Sequence, residues 1–457
     1  MYIPSLRKFA TRSALLLSLG LGTVACDKAL DVEPQNSISS DTGYSTKEDA
    51  AAALNGVYDG LQLTDYYGVA FPTISDLISG DELHVGTYTT TLGQIAQNQT
   101  SADNIQVQNT WDAIYNTINR ANYLLQESEK INDPAFPKLA TQAQVRAIRA
   151  LCYMNLLGLW GGTSQGYGYP DGLGVPLRLT PTVSIGPDTQ PIPRSSEADV
   201  AAAIRTDLDF AIENLSAGTG SRVTKNAALA LRARFELRMR NYPEALKFAG
   251  QVPALAGFAA SAPSGTATDA LWQLSFSATD KNLYAFWWFT TGGRNELDPG
   301  ANLAAAHPSG DKRLPINIAP EVAANGTVSP SKVTLKYTRT ATGDDPFNVV
   351  RYAEVVLTIA ESAARTGDLA TATTQLDIIR TRAGLAPTTA TTAEALIEDI
   401  LLQRRLELAY EGSYWYDLRR TNSVQTALPT YKETFRNLFP IPIREVRLSN
   451  LVQNPNF

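Results

Sequence analysis

Two histidines, His84 and His307, and two cysteines, Cys26 and Cys152, are all the imidazoles and thiols that 457 residues offer for nucleophilic or metal-assisted chemistry. Such chemistry needs these residue types in fixed groups, and no HExxH, CxxC or phosphate-cradling GxxxxGK[ST] run is present. A Ser-His-Asp triad would have to recruit one of two histidines that have no supporting motif around them. Carboxylates are plentiful, so a glycosidase pair stays open, but no segment singles one out. The sequence does offer the chemistry of sugar recognition. Flat aromatic rings suit the apolar C–H face of a pyranose, and neighbouring carboxylates, amides and guanidiniums suit its hydroxyls. Two stretches supply that mix: Ser79 to Tyr88, with Asp81, Glu82 and Tyr88, and Tyr284 to Phe289, with Trp287 and Trp288. Read as a strand, the second turns Trp287 and Trp288 to opposite faces, one to the core and one to solvent. Tyr66, Tyr67, Tyr167 and Tyr169 are weaker candidates. Any one of these aromatics taken singly fits a core better than a ligand platform.

The elements that must position such a site are helical. Apolar residues recur at i, i+3, i+4, i+7 along Ile114–Ile118–Ala121–Leu125, Val145–Ile148–Cys152–Leu156–Leu159, Val200–Ile204–Leu208–Ala211–Leu215 and Tyr352–Val355–Val356–Ile359–Ala360–Ala363. A further helix is predicted from Lys47 to Leu61. Ala227 to Arg240 runs through a polar turn into a second helix with an early alanine, Ala245, and Arg351 to Arg365 does the same into Ala372. That is the tetratricopeptide plan, whose stacked pairs bury a continuous core and expose a curved face. Trp160 to Ile192 reads as a long loop, and Pro253 to Asp345 as loops with short β-like runs at Leu271–Phe276, Tyr284–Thr290 and Lys332–Tyr337. The fold class is therefore mostly α: a tetratricopeptide-like helical superhelix with long irregular loops and minor β.

The first residues stand apart. Arg7, Lys8 and Arg12 precede a short apolar run, Ser13 to Gly22, then small residues and Cys26, the layout of a secretory leader over residues 1–25. The run is about half of the ~20 residues that span a bilayer. Thr23-Val24-Ala25-Cys26 resembles a bacterial lipobox, with Thr23 where leucine is usual. The resemblance implies a lipid on Cys26 and a membrane anchor. Residues 26–46 then form a polar tether, and 47–457 the domain, in three parts: 47–252, a variable loop region 253–345, and 346–457. A lipidated Cys26 leaves Cys152 without a disulfide partner, as a small core residue. The net charge of -6, with no concentrated basic stretch, argues against nucleic acid as a partner.

Three stretches resemble the SusD/RagB family. One is Gln403-Arg404-Arg405-Leu406-Glu407-Leu408 running through Glu411-Gly412 to Trp415-Tyr416-Asp417-Leu418-Arg419-Arg420. Another is the terminus, Phe439-Pro440-Ile441-Pro442 with Glu445 and then Gln453-Asn454-Pro455-Asn456-Phe457. The third is Gly174-Val175-Pro176-Leu177 with Arg194 and Asp207-Leu208-Asp209. The resemblance is weakest over 253–345, where a binding family would vary. It implies a surface-exposed, lipid-anchored protein of the outer membrane that binds glycan and hands it to a SusC-like TonB-dependent transporter, with no catalysis; the sequence singles out no cofactor and no metal-ligating residues, and leaves a structural metal ion open. The resemblance also places Asp81 and Glu82 on a stretch leading into a ligand-binding loop, with Tyr88 where an aromatic is common. The Arg404–Glu407–Glu411 charges read as helical ion pairs, with Gly412 ending the helix. A surface tetratricopeptide-like adaptor for a peptide or protein is the alternative, and a glycan hydrolase a third reading.

Overall fold

The computed structural model describes residues 45–183, 186, 189–265, 268–322 and 325–457. The leader, Cys26 and the tether up to residue 44 lie outside the described residues. Helix starts are written in side chains. Thr46 and Asp49 close a reciprocal capping box on α1 (Lys47–Gln62), and α2 (Ala70–Ser79) and strand β1 (Glu82–His84) follow. After the short α3 (Leu92–Ala96), the Asn104 side chain accepts two backbone N–H groups at the start of α4 (Ile105–Ser128). Next comes α5 (Lys138–Trp160), in which every residue from Ala147 to Trp160 is buried. A helix buried on all sides must be the centre of its layer. Cys152 sits there, fully buried, with the Tyr66 hydroxyl donating to its Sγ at 3.6 Å.

The layer continues through α6 (Glu197–Asn214), α7 (Lys225–Arg238) and α8 (Tyr242–Ala249), each packed on the one before it. Then the chain leaves the stack for about a hundred residues. That excursion holds β2 (Ala270–Leu274), α9 (Tyr284–Trp288), β3 (Leu297–Pro299), α10 (Ala301–Ala306), α11 (Leu314–Asn317), β4 (Ala319–Val322), β5 (Val328–Val333) and β6 (Phe347–Arg351). It returns as α12 (Tyr352–Thr366), which packs directly on α8, and continues as α13 (Leu369–Arg382) and α14 (Ala393–Glu407). The two helix pairs read from the sequence, α7–α8 and α12–α13, are therefore neighbours in space despite the excursion between them. Ala245 and Ala372, the early alanines, are fully buried where the paired helices approach. The last helices are α15 (Tyr414–Arg420), α16 (Val424–Ala427) and α17 (Ile443–Ser449).

Among the described residues the β structure is three antiparallel two-stranded sheets, β1–β3, β2–β6 and β4–β5. In the first, Glu82 pairs with Pro299 and His84 with Leu297, which ties the chain after α2 to the excursion. The Lys332–Tyr337 run contributes only its first two residues to β5, because Tyr337 leaves the sheet to stack on Tyr284 in the core at 4.4 Å. The strand expected at Tyr284–Thr290 is instead helix α9. Tyr284, Trp287 and Trp288 are all buried. Their i, i+3, i+4 spacing puts three large rings on one side of a helical turn, whereas a strand would have split Trp287 from Trp288.

The signature run of the C-terminal part is structural, but its pairs differ from those expected. Helix α14 ends at Glu407, and Gly412 (φ +68°) turns the chain so that its N–H donates to Asp76 Oδ2 at 2.9 Å. Arg404 pairs with Asp417 (2.9 Å) rather than Glu407, and Asp417 also holds Arg420 (2.7 Å), which grips Glu361 with two bonds of 2.6 Å. Glu407 lies among Arg382 (3.2 Å), Arg351 (3.3 Å) and Arg313 (3.4 Å). The partners come from other elements because α14 turns these side chains inward. The chain terminus is clasped too. Asn454 donates to the carbonyls of Phe439 (2.7 Å) and Trp160 (3.0 Å), while Arg194 reaches Asn454 Oδ1 and the Gly174 carbonyl at 2.8 Å each.

Candidate functional site

Between β1 and α3 runs an exposed loop, residues 85–91, that carries Tyr88. Its anchor is Glu296, fully buried just before β3. The Glu296 carboxylate accepts the N–H groups of Thr87 (2.8 Å) and Tyr88 (3.2 Å) and the Thr87 hydroxyl (3.1 Å). Gly86 lets the loop come this close: a Cβ there would stand 2.1 Å from Glu296 Oε2 and 2.8 Å from its Cα. Arg294, exposed, also binds Glu296 (2.8 Å) and lies over the Tyr88 ring, its guanidinium carbon 4.2 Å from the centroid. Its two terminal nitrogens donate to the Tyr88 hydroxyl (2.5 Å) and to Thr87 Oγ1 (2.7 Å). From inside, the Trp287 ring supports Tyr88 at 6.1 Å. A half-buried tyrosine held between a tryptophan and an arginine has little rotamer freedom left to lose, which favours binding.

The structure thus joins Tyr88 and Trp287, two of the residues picked from sequence, and assigns them different parts. Trp287 is only 6% exposed and serves as a wedge. Trp288 packs edge-on against Tyr410 at 4.8 Å, deep in the core. The expectation that one of this pair faces solvent is corrected: the ring turned outward is Phe286, 37% exposed. Tyr66, Tyr67 and Tyr167 are core residues, and half-buried Tyr169 lies under Arg240.

Asp81 and Glu82 are placed beneath the loop rather than on it. Both are buried, beside buried Asp76. Arg405 donates to Asp81 Oδ1 from Nη2 at 2.7 Å and from Nε at 2.8 Å. Burial lifts the Asp81 carboxyl to about 6, with Arg405 pulling the other way. Burial, then the charges of Asp76 and Asp81, push Glu82 well above the carboxylate range, and burial with Asp81 does the same to Asp76. Asp76 Oδ1, Asp81 Oδ2 and Glu82 Oε2 have no hydrogen-bond partner among the described residues. These two predicted contacts therefore shape the floor under β1. The residues the sequence reading missed are Glu296 and Arg294. Their partners lie more than 200 positions away in the chain, so no local pattern marks them.

Chemically, the face offers an aromatic ring, a guanidinium and several hydroxyls, with no carboxylate pair poised at the surface loop. Among the described residues no group of three or more His, Cys, Asp or Glu is placed to hold a metal ion, and no helix is long and apolar enough to cross a membrane.

A helical-repeat scaffold that carries a rigid loop face presents a preformed surface suited to binding. Comparison with known families gives the lineage. The family model described as "SusD family" matches residues 279–457, and one described as "Starch-binding associating with outer membrane" matches 28–237. The chain belongs to the SusD family. Three SusD-like proteins of Formosa agariphila are similar. One is 25% identical over 96% of this chain and 97% of its own length. The other two are 27% and 24% identical over 50% and 49% of this chain, and each match spans 42% of the relative's length. Among solved structures, a SusD superfamily protein from Bacteroides vulgatus superposes with a TM-score of 0.77 at 19% identity, covering 91% of this chain and all of that one. A laminarin-binding SusD-like protein gives 0.75 at 21% identity, with the same coverages. These likenesses establish the tetratricopeptide-like helical fold.

Proposed function

We propose that this protein is a surface-exposed lipoprotein of the outer membrane, anchored through Cys26, that binds an oligo- or polysaccharide and passes it to a SusC-like TonB-dependent transporter without altering it. The observation that carries the binding half is the Tyr88–Arg294 pair on a loop fixed by buried Glu296. A sugar ring can lay its C–H face against the outer side of the exposed Arg294 guanidinium plane that covers Tyr88, with the part of the Tyr88 ring left open beside it, while the guanidinium N–H groups and adjacent threonine hydroxyls meet its hydroxyls. Two further points favour a glycan. One family description names starch binding in association with the outer membrane, and one structural relative is a laminarin-binding protein. Asp81 and Glu82 support the face from below, and the burial that raises them leaves neither able to reach a glycosidic bond.

The test has two arms. Purified protein is titrated calorimetrically with laminarin, starch and other glucans, while product formation is followed chromatographically. Saturable binding to at least one polysaccharide without cleavage is expected; turnover would make it a hydrolase, and binding to peptides alone would make it an adaptor. In the second arm, membranes are solubilised in mild detergent. The protein should copurify with a large β-barrel, and Cys26→Ala should leave the outer-membrane fraction. An unanchored variant that stays in that fraction contradicts the anchor.

A further inference from the structure

A second concavity, sharing no residue with the Tyr88 face, opens along α4. It holds about 350 Å³ between α4, the loop after α5 and the C-terminal helix α17, at the lower end of the range for small-molecule sites. The walls are fixed by side chain-to-backbone bonds. Asn119 exchanges two hydrogen bonds with the Thr182 backbone (2.7 and 3.1 Å), and buried Asn122 donates to the carbonyls of Arg178 (3.0 Å) and Thr180 (3.2 Å). The Tyr115 hydroxyl donates to the Pro176 carbonyl at 2.8 Å. The Tyr115 ring is half-buried and packs on Trp111 at 5.0 Å. The cleft is thus formed before any ligand arrives.

Its polar lining has a clear sense. Asp112 and Glu445 reach the same cleft from α4 and α17. Asp112 is met by exposed Arg444 at 3.5 Å, and Glu445 by the Ser449 hydroxyl at 3.3 Å. Each carboxylate therefore keeps acceptor capacity toward the cleft. Burial raises both above the ordinary range, and Asp112 raises Glu445 further. Charge balance decides between a cation and a neutral donor. Arg178 lines the cleft and Arg444 stands at its rim, so two guanidiniums already offset two carboxylates. A ligand here needs hydroxyls to donate and an apolar face for the aromatic floor. Asn116, whose Oδ1 accepts from Arg120 at 2.9 Å, adds an NH₂ donor for a ring or hydroxyl oxygen.

We propose that the Asp112–Tyr115–Glu445 cleft is a second carbohydrate site, sized for a neutral mono- or disaccharide and independent of the Tyr88 face. The ligand class rests on the glycan-binding reading above, whereas the site stands on its own geometry. It would hold a short chain end or a released sugar while the Tyr88 face holds polymer.

The test is saturation-transfer NMR on the purified protein with glucose, galactose, mannose, xylose and laminaribiose. At least one sugar should show transfer that persists in Tyr88→Ala and Arg294→Ala and falls at least tenfold in apparent affinity in Asp112→Ala/Glu445→Ala. Asn116→Trp, at an exposed position, fills the cleft without touching its buried supports and should abolish the signal even if the double variant is unstable. No transfer with any of the five sugars, a signal that survives Asn116→Trp, or equal loss in Tyr88→Ala would each overturn the proposal. Polysaccharide binding is scored separately through Tyr88→Ala, so either site can fail without the other.

Discussion

Two buried clusters of charge lie side by side in this molecule, and they are built on opposite principles. Under α14 and α15, carboxylates and cations are matched. Glu407 faces three arginines, Glu411 sits between Arg351 and Lys336, and Asp417 and Glu361 share Arg420. Beneath β1 the count is lopsided: among the described residues, Asp76, Asp81 and Glu82 have only Arg405 paired directly with them, and three of their oxygens have no partner. The matched cluster coincides with the run by which the family is recognised, and it holds the helical stack to the excursion. The lopsided cluster lies under the loop that carries Tyr88. Buried ion pairs contribute little net stability when complete and cost much when broken. An unmatched cluster costs at all times, unless its carboxyls keep their protons. The difference teaches that the signature marks the frame, and that the strained ground lies under the candidate binding face.

The comparison can be broken first at Arg351, which holds Glu407, Glu411 and Asp269 together. Arg351→Met leaves buried Asp269 without its cation and takes one cation each from Glu407, which keeps Arg313 and Arg382, and Glu411, which keeps Lys336; it should cost ~3–5 kcal/mol in urea unfolding. A loss below ~1 kcal/mol, the scale of an exposed pair, would mean the network is not a strut.

A smaller effect, of opposite sign, is expected beneath β1. Glu82→Gln removes a carboxyl that burial and two acidic neighbours disfavour, so the variant should gain stability at neutral pH, by about 1–3 kcal/mol if the amide finds a partner. The pH dependence gives the sharper reading. Asp81, lifted to about 6, binds its proton more tightly in the folded chain. Its contribution is therefore complete at low pH and is lost as pH rises from the ordinary carboxylate range through about 6. Glu82 and Asp76 share that sign. Glu407 behaves oppositely. Burial alone would raise it, but Arg351, Arg313 and Arg382 hold it at about 2, so its contribution is present above the ordinary range and is lost as pH falls toward 2. The stability gap between Glu82→Gln and wild type should therefore widen as pH rises from about 4.5 to neutrality. A gap that does not change with pH would refute the upward shift of the Glu82 carboxyl beneath β1.

Cys152→Ala supplies the uncharged baseline. It removes one buried atom and a long contact from Tyr66, whose hydroxyl still accepts from Asn155 at 2.8 Å. The cost should be ~1 kcal/mol, independent of pH and of reductant. A fall in wild-type melting temperature on adding reductant would contradict a disulfide-free fold.

Much of the frame was legible because it repeats a local period. Ile114, Ile118, Val145, Ile148, Ile204 and Leu208 are all buried as their spacing predicts, and Ala245 and Ala372 mark helix pairs whose stacking the sequence could only suggest. Tyr284–Phe289 was misread because aromatic runs favour strands. The i, i+3, i+4 set of Tyr284, Trp287 and Trp288 was nonetheless there to be weighed. Half of the candidate site was visible in Tyr88 and Trp287. The rest was not, because Glu296 and Arg294 act on Tyr88 from more than 200 residues away and Arg405 meets Asp81 from 324. Such pairings are set by how the excursion folds back, which no period records.

The central claim is that glycan binds on the Tyr88–Arg294 face and not on the residues of the family signature. Isothermal titration of wild type, Tyr88→Ala and Arg294→Ala with the polysaccharide that wild type binds, with melting temperatures alongside, tests it most directly. Tyr88→Ala is expected to lose ~2 kcal/mol of binding, more than tenfold in affinity, and Arg294→Ala a smaller amount, while both unfold close to wild type. Unchanged affinity in two well-folded variants would place the glycan site elsewhere on the molecule.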